Sequence, residues 1–157
     1  MIDRSRRTTL KCAGAFGVLT MGLVTGLVKS SHAVAAQWDS AGFESKAMAE
    51  ALKALGAGTP VPSGEIVITA PDIAENGAVV PISVTTTLAD VTSISFLVSE
   101  NPNALAASYK IPAGTLPSVA NRLKMAKTSN VVPIVEAGGK LYSATKEVKV
   151  TVGGCGG

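Results

Sequence analysis

Near the end of the chain, Gly153-Gly154-Cys155-Gly156-Gly157 places a single thiol between two pairs of glycines. A thiol can serve as a nucleophile, be oxidised or be joined to a second sulfur, and each reaction runs through the thiolate. An exposed cysteine has a pKa of ~8.5, so only a few per cent is thiolate at neutral pH. The nearest charges along the chain are Lys149 and the carboxylate of Gly157, and the carboxylate disfavours the thiolate. This is not the setting of a self-activated nucleophile. Glycine offers no side chain to obstruct an approaching surface and admits backbone conformations closed to other residues. The Cα of Cys155 can stand roughly 10 Å beyond Val152. The pattern is that of a handle: a slim, flexible arm that the active sites of other proteins can admit, with a covalent group at its head. The opposing reading is a frayed terminus that happens to contain cysteine. Against it, an unpaired thiol in an oxidising compartment joins other chains. Paired glycines on both sides are also a narrower pattern than general polar disorder.

The compartment follows from the other end of the chain. Ser5-Arg6-Arg7-Thr8-Thr9-Leu10-Lys11 precedes an apolar, glycine-containing run from Cys12 to Val28, then Lys29 and the small residues Ser31 to Ala36. That is the charged, apolar and cleavage-site order of a secretory signal. Arg6 and Arg7 in this context point to twin-arginine export and a periplasmic destination. A membrane anchor would require ~20 strongly apolar residues, whereas this run is short and diluted by Gly14, Gly17, Gly22 and Gly26. Residues 1–36 are therefore expected to be removed, with cleavage after Ala33, Ala35 or Ala36.

The formal net charge of +3 comes from that segment: the remainder holds nine basic and ten acidic side chains. No basic patch is left to argue for nucleic acid or an anionic membrane. His32 and Cys12 leave with the signal, so the mature chain has no imidazole and one thiol. Ser–His and Cys–His catalysis, His/Cys zinc or copper sites and an internal disulfide are excluded together, and neither a cofactor nor a metal is expected. A thiol peroxidase or disulfide reductase would need a second thiol or a nearby base. A structural protein joined through Cys155 by an interchain disulfide, or a periplasmic thiol-redox protein, is the alternative to a carrier.

The elements that must position the thiol are legible in outline. About 120 mature residues suffice for one domain with its own core. Residues 37–58 predict a short amphipathic helix, with Phe43, Ala47, Ala51 and Leu55 at helical spacing beside Met48 and Leu52, ended by Gly56 and Gly58. Thr59 to Gly64 reads as a linker. Period-two alternation then takes over at Ile66/Ile68, Val80/Ile82/Val84, Ile94/Phe96/Val98, Ala107/Tyr109/Ile111, Val132/Ile134 and Glu147 to Val152. Asn-Gly, Asn-Pro, Pro-Ala-Gly and Gly-Gly break these runs, the last as a hairpin at Ala137 to Lys140. About seven short strands predict a β-sandwich over residues 59–152, followed by the arm at 153–157. Pro81 and Pro133 mark strands expected to be edges or bulged. Leu116 to Met125 fits either a turn of helix or a loop.

The ending Val148 to Gly157 resembles that of the SoxY family, the sulfur-carrier subunits of the bacterial thiosulfate-oxidation (Sox) system. So do the twin-arginine signal and the stretches "PDIAENGAVVPISV" (71–84), "ENPNALAASYKIPAG" (100–114) and "TSNVVPIVEAGGKLYSATKEVKV" (128–150). The resemblance covers essentially the whole chain. It implies a mainly β, immunoglobulin-like antiparallel sandwich that pairs with a SoxZ subunit. It also implies that Cys155 is the attachment point, that the haem enzyme SoxAX couples thiosulfate to it oxidatively, and that the dimanganese hydrolase SoxB releases sulfate. In some organisms SoxCD then oxidises the remaining persulfide. By the same resemblance the chain is a carrier rather than an enzyme.

Overall fold

The computed structural model describes residues 39–56 and 58–152. The chain divides into two units, residues 1–37 and 38–157, and every described residue belongs to the second. Arg6, Arg7 and the rest of the expected signal lie outside the described residues, as do Gly153, Gly154, Cys155, Gly156 and Gly157. No helix among the described residues is long and apolar enough to cross a membrane.

Among the described residues ten strands follow two short helices: β1 (Val61–Pro62), β2 (Ile66–Thr69), β3 (Ile73–Ala74), β4 (Val80–Thr86), β5 (Val91–Val98), β6 (Leu105–Lys110), β7 (Ser118–Leu123), β8 (Ser129–Ala137), β9 (Lys140–Ser143) and β10 (Lys146–Val150). They form a seven-stranded sheet and a three-stranded one. In the large sheet β8 is the spine. Antiparallel β5 lies along one side of it, with β6 beyond, and β9 and β10 share the other side. β1 and β3 extend that side by parallel pairing with β9 and β10. The small sheet runs β2-β4-β7. The mainly β, two-sheet sandwich read from the sequence is the observed architecture.

The period-two residues face each other between the sheets. Ile66, Val80, Ile82, Val84 and Leu123 of the small sheet meet Ile94, Phe96, Val98, Val131, Val135 and Val148 of the large one, with Met125 among them. Full burial of such side chains contributes roughly 1.5–3 kcal/mol each. β5 departs from simple alternation, because Leu97 on its outer face is also fully buried. A second cluster explains this: Ala51 and partly buried Phe43, Met48, Leu52 and Leu55 cover Leu97, Leu105, Ile134 and Leu141. The helical segment is thus a third layer over one face of the large sheet.

That segment is two helices rather than one, α1 (Ser40–Glu44) and α2 (Met48–Leu55). Asp39 caps α1 by accepting from the Gly42 amide at 2.9 Å. The break falls at Ser45, which turns extended and lends its carbonyl to the Ala104 amide at 2.9 Å. Tertiary pairing wins there over one more helical turn. Gly56 (φ 153°) ends α2 with its amide on the Leu52 carbonyl, as the sequence indicates.

The prolines need correction. β4 and β8 are both central strands, not edges. Pro133 is fully buried and sits where the partner of β8 changes from β9 to β10. Its carbonyl accepts from Ala144, so the missing amide would face a ladder already interrupted there. Pro81 pairs with Arg122 on the β7 side, while β2 leaves β4 beyond Ser83, making a local edge. Residues 118–123, undecided in the sequence, form β7. The predicted final strand stops at Val150, and Val152 is exposed after a bend.

Candidate functional site

The described residues contain no cysteine and no histidine, and no three of Asp, Glu, His or Cys among them gather as metal ligands would. What they define is the ground in which the thiol-bearing segment is rooted. β10 is held on both edges. On one side it pairs with β8 through Lys146↔Val131, Glu147↔Asn130 and Val148↔Ser129. Thr128 extends that ladder with a side chain: its hydroxyl accepts from the Val150 amide at 2.9 Å and lies 3.5 Å from the Val150 carbonyl. On the other side Lys149 and Thr151 donate to the carbonyls of Asp72 and Ala74 at 3.0 and 3.1 Å. The Thr151 hydroxyl donates to the Glu75 carbonyl at 3.0 Å.

The last described residue, Val152, is itself pinned. Its carbonyl accepts from the Gly77 amide at 2.7 Å. Gly77 is buried and follows Asn76, whose side chain accepts from Ala78 at 2.8 Å and shapes the turn. The Gly77 carbonyl in turn accepts from the Met125 amide at 2.7 Å. The Met125 side chain is fully buried in the inter-sheet core. Asn101, on the loop between β5 and β6, grips the backbone on both sides of Met125. It donates to the Lys124 carbonyl at 2.7 Å and accepts from the Ala126 amide at 2.9 Å. Each such bond contributes about 1 kcal/mol net. The Lys127–Glu100 ion pair, at 2.8 Å with both side chains largely exposed, adds little.

Cys155 and its four glycines are not among the residues the structure places, so their roles rest on the sequence. Sequence reasoning noticed Asn76-Gly77 and Asn101-Pro102 only as breaks between strands. It missed that they, with Thr128 and Thr151, tie the loops to the chain end. A surface depression of about 630 Å³ lies elsewhere, where β2 parts from β4, lined by residues including Pro71, Pro81, Asn121 and Arg122. It holds no thiol or imidazole and does not include the root.

Comparison with known proteins fits this layout. The model of the family "Sulfur oxidation protein SoxY" matches residues 51–155, so the match runs from α2 through to Cys155. The chain belongs to the SoxY family of sulfur oxidation proteins. Among solved structures, the sulfur carrier protein SoxY from Chlorobium limicola f. thiosulfatophilum is similar at 44% sequence identity and a TM-score of 0.60, over 66% of this chain and 96% of that one. A superoxide reductase (neelaredoxin) from Ignicoccus hospitalis is similar at 20% identity and a TM-score of 0.49, over 54% and 79% of the two chains. That likeness is too distant to bear on function. A search among curated proteins found no match.

Proposed function

We propose that this protein is a periplasmic carrier that holds thiosulfate-derived sulfur covalently on Cys155 and presents it to partner enzymes. The observation that carries the reading is that the family match extends to Cys155, the sole thiol left once residues 1–36 are removed. The 44%-identical neighbour is a sulfur carrier protein, which supports the same role here. The twin-arginine pattern at Arg6 and Arg7 supports export.

Loading joins the Cys155 sulfur to the outer sulfur of thiosulfate. The thiol loses its proton, a sulfur–sulfur bond forms, and two electrons pass to a haem partner of the SoxAX type. Water then cleaves the bond to the sulfonate sulfur, releasing sulfate and leaving a persulfide on Cys155; a SoxB-type hydrolase supplies that step. A SoxCD-type enzyme, where present, oxidises the persulfide. A SoxZ-like subunit completes the carrier. This chain contributes the thiol, the slender access given by Gly153, Gly154, Gly156 and Gly157, and a firm root.

Intact mass of the protein isolated from cells growing on thiosulfate tests the reading. Sulfane and sulfonate adducts on the wild-type chain, absent from Cys155→Ser, are expected. Protein that is only unmodified or disulfide-linked under those conditions would contradict it and favour an interchain-disulfide role.

A further inference from the structure

We propose that Asn76 is a covalent modification site: it converts to aspartate and isoaspartate when residues 151–152 separate from it, and the isoaspartate product keeps them apart. The proposal stands independently of the carrier reading. The chain has five asparagines, at 76, 101, 103, 121 and 130, and Asn76 alone is followed by glycine. In the reaction the following backbone nitrogen loses its proton and attacks the side-chain carbonyl carbon. A bond from that nitrogen to Cγ forms, the Cγ–Nδ2 bond breaks, and ammonia leaves behind a five-membered imide. Water then opens the imide at either carbonyl, giving aspartate or isoaspartate. No electrons change hands. Pro102 has no N–H to lose, and the side chains of Ala104, Arg122 and Val131 crowd the nitrogens that follow the other three asparagines. Gly77 presents no such obstruction.

The fold controls both reacting groups. Asn76 is exposed to water, whereas Gly77 is buried. The Gly77 N–H, whose proton must leave, donates to the Val152 carbonyl at 2.7 Å, and the Gly77 carbonyl accepts from Met125 at 2.7 Å. The Asn76 side-chain oxygen accepts from the Ala78 amide at 2.8 Å, which holds the side chain beside its own backbone. A buried, hydrogen-bonded amide gives up its proton only through opening. The relevant opening parts residues 151–152 from residues 74–77. Besides the Val152 bond, that pairing consists of the Thr151 amide on the Ala74 carbonyl at 3.1 Å and the Thr151 hydroxyl on the Glu75 carbonyl at 3.0 Å. Isoaspartate routes the main chain through Cγ and lengthens it by a carbon. Gly77 then no longer places its amide on Val152 and its carbonyl on Met125 together. Aspartate leaves the backbone unchanged and keeps an oxygen for Ala78, so the two products act oppositely on this tie.

The test incubates the full chain at mildly alkaline pH with a thiol reductant, native and in guanidinium, and follows residue 76 by peptide mapping that separates aspartate from isoaspartate. Conversion in guanidinium is expected, with the native chain at least roughly tenfold slower. Thr151→Val, which removes the hydroxyl bond to Glu75, should speed native conversion roughly fivefold and leave the rate in guanidinium unchanged. Protein purified with isoaspartate at position 76 should show faster amide exchange at Gly77 and Met125 and an unchanged Phe96 amide, whereas Asn76→Asp should keep wild-type protection. No conversion in guanidinium would overturn the site. Equal native and unfolded rates, or a native rate unmoved by Thr151→Val, would overturn its control by residues 151–152. Wild-type exchange in the isoaspartate protein would overturn the detached product.

Discussion

The two ends of the sandwich are built differently. At the far end, Gly138 and Gly139 turn β8 into β9 with φ of 55° and 73°, and the neighbouring loop from Ile111 to Pro117 closes on itself through Thr115 to Pro112 and Ser118 to Leu116. Leu116 there is 82% exposed. These turns are local, and the ties across the sequence at this end run mainly backbone to backbone, from Gly138 to Asp90 at 3.2 Å and from Thr86 to Pro117 at 3.1 Å. At the root end, side chains reach across the sequence: Asn101 to Ala126, Thr128 to Val150, Thr151 to Glu75. The two ends differ in which groups make the long-range ties. A turn that only reverses the chain needs the right backbone angles. An end where several loops meet is held by side chains that cross from one loop to the next.

The largest expected effect breaks the root from inside. Met125→Ala removes a fully buried side chain and should cost about 3 kcal/mol in denaturant unfolding, whereas Leu116→Ala at the far end should stay within about 0.5 kcal/mol. Equal losses would erase the distinction between the ends. A smaller effect sharpens the far end. A Cβ at Gly139 would meet nothing within 4 Å, so Gly139→Ala should cost only the backbone term, about 1–2 kcal/mol, and Gly139→Asn should recover part of it because asparagine tolerates positive φ. A thermal melt series on the wild type and the two Gly139 variants would read this order.

The same contrast decides what the sequence disclosed. The Gly138-Gly139 hairpin was legible because a two-residue turn is written in adjacent residues. The sandwich was legible because buried alternation at Val80 to Val84 or Ile94 to Val98 is also local. The proposal of Cys155 as attachment point starts from composition, since it is the one thiol outside residues 1–36. The root was not. Asn76-Gly77, Asn101 and Thr128 lie inside stretches that carry the family resemblance, yet their partners are chosen by how the sheets close. Ser45 breaks the predicted helix for a partner at Ala104, fifty-nine positions away by the numbering. Pro133 reads as an edge marker but occupies the one point where the spine of the sheet exchanges neighbours. β7 escaped because Asn121, a polar residue, takes an alternating position between Val119 and Leu123, which hides the apolar period.

At the centre of the proposed function is a division of labour: the domain supplies a root, and bare glycines supply access for other proteins' chemistry. Gly154→Trp tests it most directly, through the rate at which the haem partner loads sulfur onto Cys155. The account predicts a fall of at least roughly tenfold, with the melting temperature and the reaction with a small disulfide unchanged. Wild-type loading in the presence of that bulky flank would contradict it.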